Sequence, residues 1–361
     1  MEHSQNNPSV FNHDVLARLT QVAREIGLVH LGVVRLDHPG FARPRQALAR
    51  FLAEGKAGTM QFLLRNQELR NQPEKLLAGA QSMLIAAVPY AGKPGPIARY
   101  AQGQDYHRVL YDRLFVLAQK VQQELANIQT SIFVDTKPIL ERSAAMLAGL
   151  GFIGKHGCLI IPGLGSYVLL GGLLTTAPWI GNDAKVDIER LPWTACGSCT
   201  RCLDACPTQA FSGPGDLDAR KCISYLTIEH RGAIPNVLAE RMGERVAGCD
   251  VCQEVCPYNA GPQRQDRAPA HAWLGPILET HQDLDVTQLV NLRSSAYRRF
   301  VKHSALKRIP RRELQRNALI ALGNRQGSSN ENEKKLLEQA SQSNDPNITQ
   351  AVLWAQQRRT S

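Results

Sequence analysis

The chain has 361 residues, of which 43% are apolar and 20% charged, and its formal net charge is +10. A chain of this length favours two or three domains, and the composition is that of a folded globular protein, which excludes a disordered one. The N-terminal residues MEHSQNNPS carry no recognisable secretory signal, so we expect a cytoplasmic location. The uncharged stretch 158–181 is interrupted by prolines and glycines, which favours buried strands over a membrane-spanning helix.

The N-terminal half alternates between helical and strand periodicity, which predicts a layered α+β domain with its ligand at the strand ends. The predicted elements, in chain order, are a helix at 13–26, strands at 30–36 and 82–90, a helix at 105–126, a strand at 131–136, a helix at 139–151, and strands at 158–162 and 166–177. The segment GLGFIGKH, 149–156, partly matches two nucleotide-binding patterns. It follows a helix and no strand, so we expect only a helix end closed by glycines.

Asp135 ends a predicted strand directly before a turn that contains Pro138. A carboxylate at this position can face a cavity and, if desolvated, hold a proton near neutral pH. A strand-end aspartate before a helix also commonly serves as an N-cap. The spacing alone leaves both interpretations open.

Eight of the nine cysteines fall between residues 196 and 256. Disulfides need an oxidising compartment, and zinc sites use four ligands that are usually arranged as two CxxC pairs. The run CGSCTRCLDACP, 196–207, instead has the CxxCxxCxxxCP spacing of bacterial two-cluster ferredoxins, in which the fourth cysteine ligates the other cluster. The ninth, Cys158, is interpreted as a small buried residue of a strand.

A second, split half of the same motif follows, with Cys222 separated from CDVCQEVCP at 249–257. The crossing rule then predicts two 4Fe–4S clusters. One has the ligands Cys196, Cys199, Cys202 and Cys256, and the other has Cys206, Cys222, Cys249 and Cys252. Two clusters relay single electrons, so another part of the chain must carry out the chemistry.

The C-terminal region is basic and helical. Residues 293–325 contain ten Lys and Arg against a single acid, Glu313, a net charge of +9. This imbalance favours binding of a polyanion, with nucleic acid preferred, over a merely solvated face. Three helices are predicted here. The first is RRELQRNALIALGN, closed by Gly323; the second is NENEKKLLEQASQS; and the third begins at Asp345 and Pro346. Such helices stack as HEAT-like repeats.

Several segments together resemble the epoxyqueuosine reductase family: ARYAQGQDYH (98–107), DTKPILERSAAMLAGLGFIGKHGCLI (135–160), GSYVLLG (165–171), RNALIALGN (316–324) and the split cysteine block. The resemblance implies reduction of the epoxide of epoxyqueuosine at the wobble position of tRNA, with cobalamin and two 4Fe–4S clusters as cofactors. The tRNA partners would be the Asp, Asn, His and Tyr acceptors, and an external donor would supply electrons. Reductive dehalogenases share these cofactors and are an alternative, as is a simple iron–sulfur electron-transfer protein.

The resemblance also implies residue roles. Asp135 would be the proton donor, with Tyr106 and His107 beside it in the active site. Cobalamin would be held without a protein histidine on cobalt, and His156 stands where the family commonly has asparagine. The implied cobalamin contacts are Arg70, Ala98, Asp135, His156, Leu159, Leu170, Ser224 and Asp250. The expected tRNA contacts are Arg298, Arg299, Lys302, Lys307, Arg308, Arg311 and Arg312.

The expected architecture is that of a monomer with three domains and no membrane segment. Residues 1–182 would form a layered cobalamin-binding catalytic domain, residues 183–261 a ferredoxin-like domain with two clusters, and residues 262–361 a HEAT-like helical domain that binds tRNA.

Overall fold

The computed structural model describes residues 9–184, 186–260 and 275–359. The predicted domain boundary at 261/262, and the start of the predicted helical region, lie outside the described residues. The α-helices are α1 (His13–Glu25), α2 (Ala42–Ala53), α3 (Gln61–Arg65), α4 (Gln67–Asn71), α5 (Tyr106–Glu124), α6 (Glu141–Leu147), α7 (Arg201–Asp204), α8 (Ile223–Ile228), α9 (Asn236–Arg241), α10 (Val251–Glu254), α11 (Thr287–Val290), α12 (Ser294–Phe300), α13 (Arg311–Asn324), α14 (Glu331–Ser341) and α15 (Pro346–Arg359).

The strands are short apart from two in the N-terminal region. They are β1 (His30–Arg35), β2 (Ser82–Pro89), β3 (Thr130–Phe133), β4 (Phe152–Ile153), β5 (Leu159–Ile160), β6 (Val168–Thr175), β7 (Phe211–Gly213) and β8 (Asp216–Leu217). The prediction of mixed helices and strands in this half of the chain is confirmed, and α1 and α5 lie within two residues of their predicted bounds.

A four-stranded antiparallel sheet, in the order β1–β2–β6–β3, forms the centre of the N-terminal region. The central strand β2 is buried along its whole length. Because side chains alternate along a strand, Leu84 and Ala86 pack with α1 and α5 on one face, while Met83 and Ile85 pack with α6 on the other. The sheet is therefore covered by helices on both faces.

One hydrophobic core joins the cysteine-rich segment to the C-terminal helices, combining apolar residues of α8 and α9 with those of α11 to α15. Two polar side chains of α13 are fully buried in it. Arg316 donates to the carbonyl oxygens of Leu226 and Gly232, and Asn317 donates to that of Thr227. Buried polar groups are costly unless they are hydrogen-bonded, so these contacts fix α13 against α8.

The prediction that Gly323 closes its helix is wrong. Helix α13 continues through Asn324, and Gly323 lies inside it where α15 crosses. A Cβ atom at this position would lie 2.9 Å from the Cα of Ala355 and 3.1 Å from the Trp354 ring. The glycine is thus explained by the close approach of two helices. The prediction for the third helix is confirmed, because the Asp345 side chain accepts the backbone N–H of Asn347 at the start of α15.

Candidate active site

A cavity of about 1240 Å³ lies beside the end of β3. Its wall is built from α2 to α4, from the segment 135–147, from the β7–β8 hairpin and from residues 190–195, which lead into the first cysteine motif. This volume exceeds the roughly 300–1,000 Å³ typical of small-molecule sites. The cavity can therefore take a large cofactor.

Asp135 lies on the wall of this cavity in an unusual backbone conformation. Its φ is +52°, in the left-handed region that is uncommon for residues other than glycine. The N–H of Thr136 donates to the carbonyl oxygen of Val134 across it, and its own N–H donates to Oε1 of Glu141 at 2.8 Å. Helix α6 begins only at Glu141 and has no side-chain N-cap, so the N-cap interpretation of Asp135 is wrong.

His107 links two carboxylates at the start of α5. Its Nδ1 lies 2.7 Å from Asp105 and its Nε2 lies 3.2 Å from Oδ2 of Asp135. Burial opposes the charged imidazolium, but the hydrogen bonds to the two carboxylates outweigh it and raise the pKa of His107 to about 9. Tyr106 stacks on the same ring with centroids 4.0 Å apart. All three residues expected in the active site are therefore brought together.

The sequence predicted that Asp135 holds a proton near neutral pH, and the structure instead favours its ionised form. The hydrogen bond from His107 lowers the pKa of Asp135 below its ordinary value, despite the opposing effect of burial. Of its side chain, 61% is exposed, and the exposed part faces the cavity. Burial, followed by the negative charge of Asp135, raises the pKa of Glu141 to about 8. At neutral pH, Asp135 is thus ionised while His107 and Glu141 carry protons.

Arg70, Asp135 and His156 line the cavity, whereas the other five predicted cobalamin contacts do not. Leu159 and Leu170 are buried in the core beside the sheet. Ala98 donates its N–H to the carbonyl oxygen of Ala247, and Asp250 accepts the N–H of Arg99. Ser224 lies two residues after Cys222, where burial raises the pKa of the thiol and the Ser224 N–H opposes that rise.

His156 provides a test of whether a corrinoid suits this cavity. Its Nδ1 accepts the N–H of Cys158 at 3.1 Å, so the ring proton is assigned to Nε2. Nε2 is buried with no hydrogen-bond partner among the described residues, and burial lowers the pKa of His156 to about 4. A neutral ring with an unused N–H suits an amide acceptor such as those at the corrin edge.

The division of the eight cysteines into two ligand sets stays a prediction, because neighbouring thiols influence one another both within a set and across the two: burial and then other thiols, Cys202 of the other set included, raise the pKa of Cys252. Burial and then the charges of Cys256, Cys196 and Cys199 raise the pKa of Cys202 to about 11. Burial raises the pKa of Cys222, with a further contribution from the charge of Cys206. Burial likewise raises the pKa of Cys249 to about 11, and Cys222 adds to it.

All nine cysteines are free. Across 9–184, 186–260 and 275–359, no three His, Cys, Asp or Glu side chains are placed to hold a single metal ion. In a 4Fe–4S cluster each thiolate binds a different iron, so this finding concerns single-ion sites.

Comparisons with known proteins agree with this geometry. Residues 195–259 match the family model "4Fe-4S double cluster binding domain", which places the cysteine block among two-cluster iron–sulfur proteins. Residues 70–136 match "Epoxyqueuosine reductase QueG, DUF1730". The chain is 37% identical to an epoxyqueuosine reductase of Xanthomonas campestris over 331 residues, which cover 87% of this chain and 88% of that protein. The chain belongs to the epoxyqueuosine reductase family.

Solved structures of this family have the same fold. A Bacillus subtilis epoxyqueuosine reductase, solved with its aspartate-bearing catalytic loop swung out of the active site, superposes with a TM-score of 0.81 at 28% identity and covers 96% of this chain and 90% of that one. A second epoxyqueuosine reductase, solved with an epoxyqueuosine-modified tRNA-Tyr stem loop, has a TM-score of 0.77 at 27% identity, with coverage of 97% and 91%.

The predicted tRNA contacts divide into two groups. Arg298, Arg299, Lys302 and Lys307 are exposed and have no ion pair among the described residues. The other three have intramolecular partners: Arg308 is paired with Glu229, Arg312 is paired with Asp345, and Arg311 donates to the carbonyl oxygen of Leu292. The basic segment lies close enough to the active site to affect it, because the positive charge of Arg308 contributes to the lowered pKa of Asp135.

Sequence reasoning missed Glu141, Asp105 and Lys155. Glu141 lies six residues after Asp135 and Asp105 lies two before His107, so proximity to suspected site residues was the only available signal. Lys155 reaches the first cysteine motif through a contact across 42 residues of sequence. In the described part of the chain no helix combines the length and apolar character that crossing a membrane requires.

Proposed function

We propose that this protein reduces the epoxide of epoxyqueuosine at the wobble position of tRNA to give queuosine. Family membership carries this assignment, together with a relative's structure with an epoxyqueuosine-modified stem loop. The observation from this chain that supports it is the ion pair of Asp135 and His107 on the wall of a large cavity. The basic segment lies on one side of this pair and the residues leading into the first cysteine motif form part of the cavity wall.

Cobalamin is the cofactor that best suits the cavity. Arg70, Asp135 and His156 would contact it, and the free Nε2–H of His156 would hold an amide of the corrin edge. When bound, the low-valent cobalt of cobalamin supplies electrons, or acts as a nucleophile, toward a strained C–O bond. Two 4Fe–4S clusters, each ligated by four of the eight cysteines, would pass it electrons one at a time from an external donor.

The residues of this chain supply the protons. Removing the epoxide oxygen as water takes two electrons and two protons, and an oxyanion leaves poorly unless it is protonated. Asp135 is ionised in the free protein, so the proton it delivers to the substrate oxygen is drawn from His107 at a separation of 3.2 Å. Glu141 keeps a second proton beside it, and its hydrogen bond to the Asp135 N–H holds the loop toward the cavity.

The tRNA would bind along the exposed cations at 298–307. An anticodon loop can present a splayed base to a cavity while Lys and Arg contact its phosphates. We propose α13 to α15 as a HEAT-like repeat that supports this surface, within the division 1–182, 183–261 and 262–361. We expect a monomer in the cytoplasm, where its tRNA substrate resides.

The function is tested with tRNA from cells that lack this protein. The purified chain, reconstituted with iron, sulfide and cobalamin and supplied with a reductant, should convert epoxyqueuosine in that tRNA to queuosine, as measured by nucleoside mass spectrometry. The variant Asp135→Asn should lose activity, whereas Asp112→Asn, on the exposed side of α5, should keep it. Persistence of epoxyqueuosine with the fully loaded protein would overturn the assignment.

The tRNA surface has its own test. Reversing Arg298, Arg299, Lys302 and Lys307 to Glu should weaken binding and reduce the slope of log affinity against log salt by about 3, since each lost phosphate contact in single-stranded nucleic acid contributes about 0.7. These four residues are preferable to Arg311 and Arg312, whose loss would also break intramolecular contacts. The matched control reverses four exposed cations elsewhere that have no ion pair among the described residues: Arg24, Lys120, Arg241 and Lys335. Equal effects of the two sets would contradict this footprint.

A further inference from the structure

Lys155 lies between β4 and β5 and points into the first cysteine motif. Its side chain is 8% exposed, and its Nζ donates to the carbonyl oxygens of Gly197 at 2.7 Å and Cys199 at 2.9 Å. Its own carbonyl oxygen accepts the N–H of Gly215 in the β7–β8 hairpin. A lysine of the N-terminal region therefore closes onto the loop that joins the first two predicted cluster ligands.

The charge of this lysine is not neutralised by the surrounding protein. Within the described ranges, Lys155 has no carboxylate in ion-pair contact, and its acceptors are two neutral carbonyls. Burying an ammonium without a counter-charge is costly. The nearest anionic group that this site can hold is the cluster itself, because four thiolates outweigh the positive charge of the iron–sulfur core. The ammonium group of Lys155 is therefore placed to balance the negative charge of the cluster.

We propose that Lys155 is the fixed counter-charge of the cluster ligated by Cys196, Cys199, Cys202 and Cys256, and that it raises the reduction potential of this cluster relative to the other. The inference rests on the cluster assignment of the proposed function and is independent of the tRNA substrate. Its physical basis is that net charge, and hydrogen bonding and exposure around the cluster, set the potentials of iron–sulfur clusters. A cation favours the reduced form, which carries one more negative charge.

The location of Lys155 links the cluster to the cavity. The next residue, His156, lies on the cavity wall, as does Ala195, which directly precedes Cys196. One short loop thus contacts the cluster site through its lysine and the cavity through its histidine. A cluster stabilised in its reduced form at this position would hold an electron beside the cavity until the second one arrives.

The test is a redox titration of the purified chain with both clusters and without cobalamin or tRNA, followed by electron paramagnetic resonance. In Lys155→Met, one of the two reduction steps should move to lower potential by about 59 mV, a tenfold fall in the ratio of reduced to oxidised cluster at fixed solution potential, while the other step stays in place. Lys155→Arg keeps the charge and should remain close to the unsubstituted chain. The exposed substitution Lys120→Met is the control for a general loss of charge.

Each outcome bears on the proposal. Unchanged potentials in Lys155→Met, or equal shifts of both steps, would overturn it. If Lys155→Met loses half of its iron while Lys155→Arg keeps it all, the counter-charge is needed to retain that cluster, which supports the proposal. If both variants lose the iron, the lysine acts through its shape and the proposal is wrong. These measurements involve no epoxyqueuosine, so a failure of the proposed reaction would leave their result unchanged.

Discussion

Replacing Asp135 by asparagine should lower the pKa of His107 by about one unit. The atoms Nε2 and Oδ2 lie 3.2 Å apart, where two unit charges attract by about 1.3 kcal/mol in water and about 5 kcal/mol at an effective dielectric constant of 20. The Asp135 side chain is 61% exposed, so the value for water is the better guide. It corresponds to about one pKa unit, and His107 should retain the contribution of Asp105.

The measurement is an NMR titration of the histidine rings in the chain without cofactors, with His107→Gln identifying the resonance. We expect His107 to titrate near pH 9 in the unsubstituted chain and near pH 8 in Asp135→Asn. The control Asp112→Asn removes an exposed carboxylate of the same helix, paired with Arg108, and should leave His107 unchanged. A pKa of His107 near 6.5 in the unsubstituted chain, or a pKa that Asp135→Asn leaves unchanged, would refute the ion pair.

The same pair makes a prediction for stability against pH. The pKa of His107 is raised in the folded state, so its stabilisation is complete below the unfolded value of about 6.5 and is lost as the pH rises through about 9. Asp135→Asn should therefore be less stable than the unsubstituted chain by about 1 kcal/mol at pH 6, and the difference should vanish above pH 10. Chemical unfolding at several pH values measures it, and a difference that grows with pH would contradict the sign.

Three further substitutions test individual contacts. Glu141→Ala removes the acceptor of the Asp135 N–H and should lower kcat by about 100-fold, as expected for a misplaced catalytic loop. Hydrogen exchange at the Asp135 amide should accelerate in this variant. Glu141→Gln keeps an acceptor oxygen and should restore the protection of that amide. Arg316→Met leaves buried carbonyl oxygens without a donor and should lower the free energy of unfolding by about 3–5 kcal/mol; a loss below 1 kcal/mol in chemical unfolding would contradict this. Gly323→Ala should cost about 1–3 kcal/mol in the same assay, because its Cβ would meet Ala355.

Local patterns allowed much of the fold to be predicted, and contacts between distant residues explain what they missed. Helical periodicity predicted α1 and α5 well, because each presents one apolar face to the sheet. The same local reasoning failed at Gly323, since nothing in its neighbouring sequence indicates that α15 crosses there. A glycine can end a helix, as its low helix propensity suggests, or it can allow two helices to pack closely. Only the tertiary structure shows that Gly323 does the second.

The candidate site divides in the same way. The cysteine spacing predicted a double-cluster domain because a cluster motif is encoded locally, whereas the division of the cysteines into two ligand sets stays a prediction. The charge of Asp135 could not be predicted, since it depends on His107, 28 residues earlier in the chain. The roles of Arg308 and Arg312 were likewise hidden, because their partners Glu229 and Asp345 lie far away in sequence. Residue type indicated which groups carry chemistry, and the fold determined which of them are already paired.

The core shared by the cysteine segment and the C-terminal helices limits how this protein can be divided or recombined. A fragment ending before α13 would leave carbonyl oxygens of 226–232 without the donors of Arg316, and a fragment starting there would leave this guanidinium with Asn317 as its acceptor in place of those carbonyls. Exchanging the C-terminal helices for others that lack the arginine and asparagine of 316 and 317 should therefore give insoluble chimaeras. The cysteine-rich segment and the C-terminal helices behind the basic surface should therefore be exchanged or truncated only together.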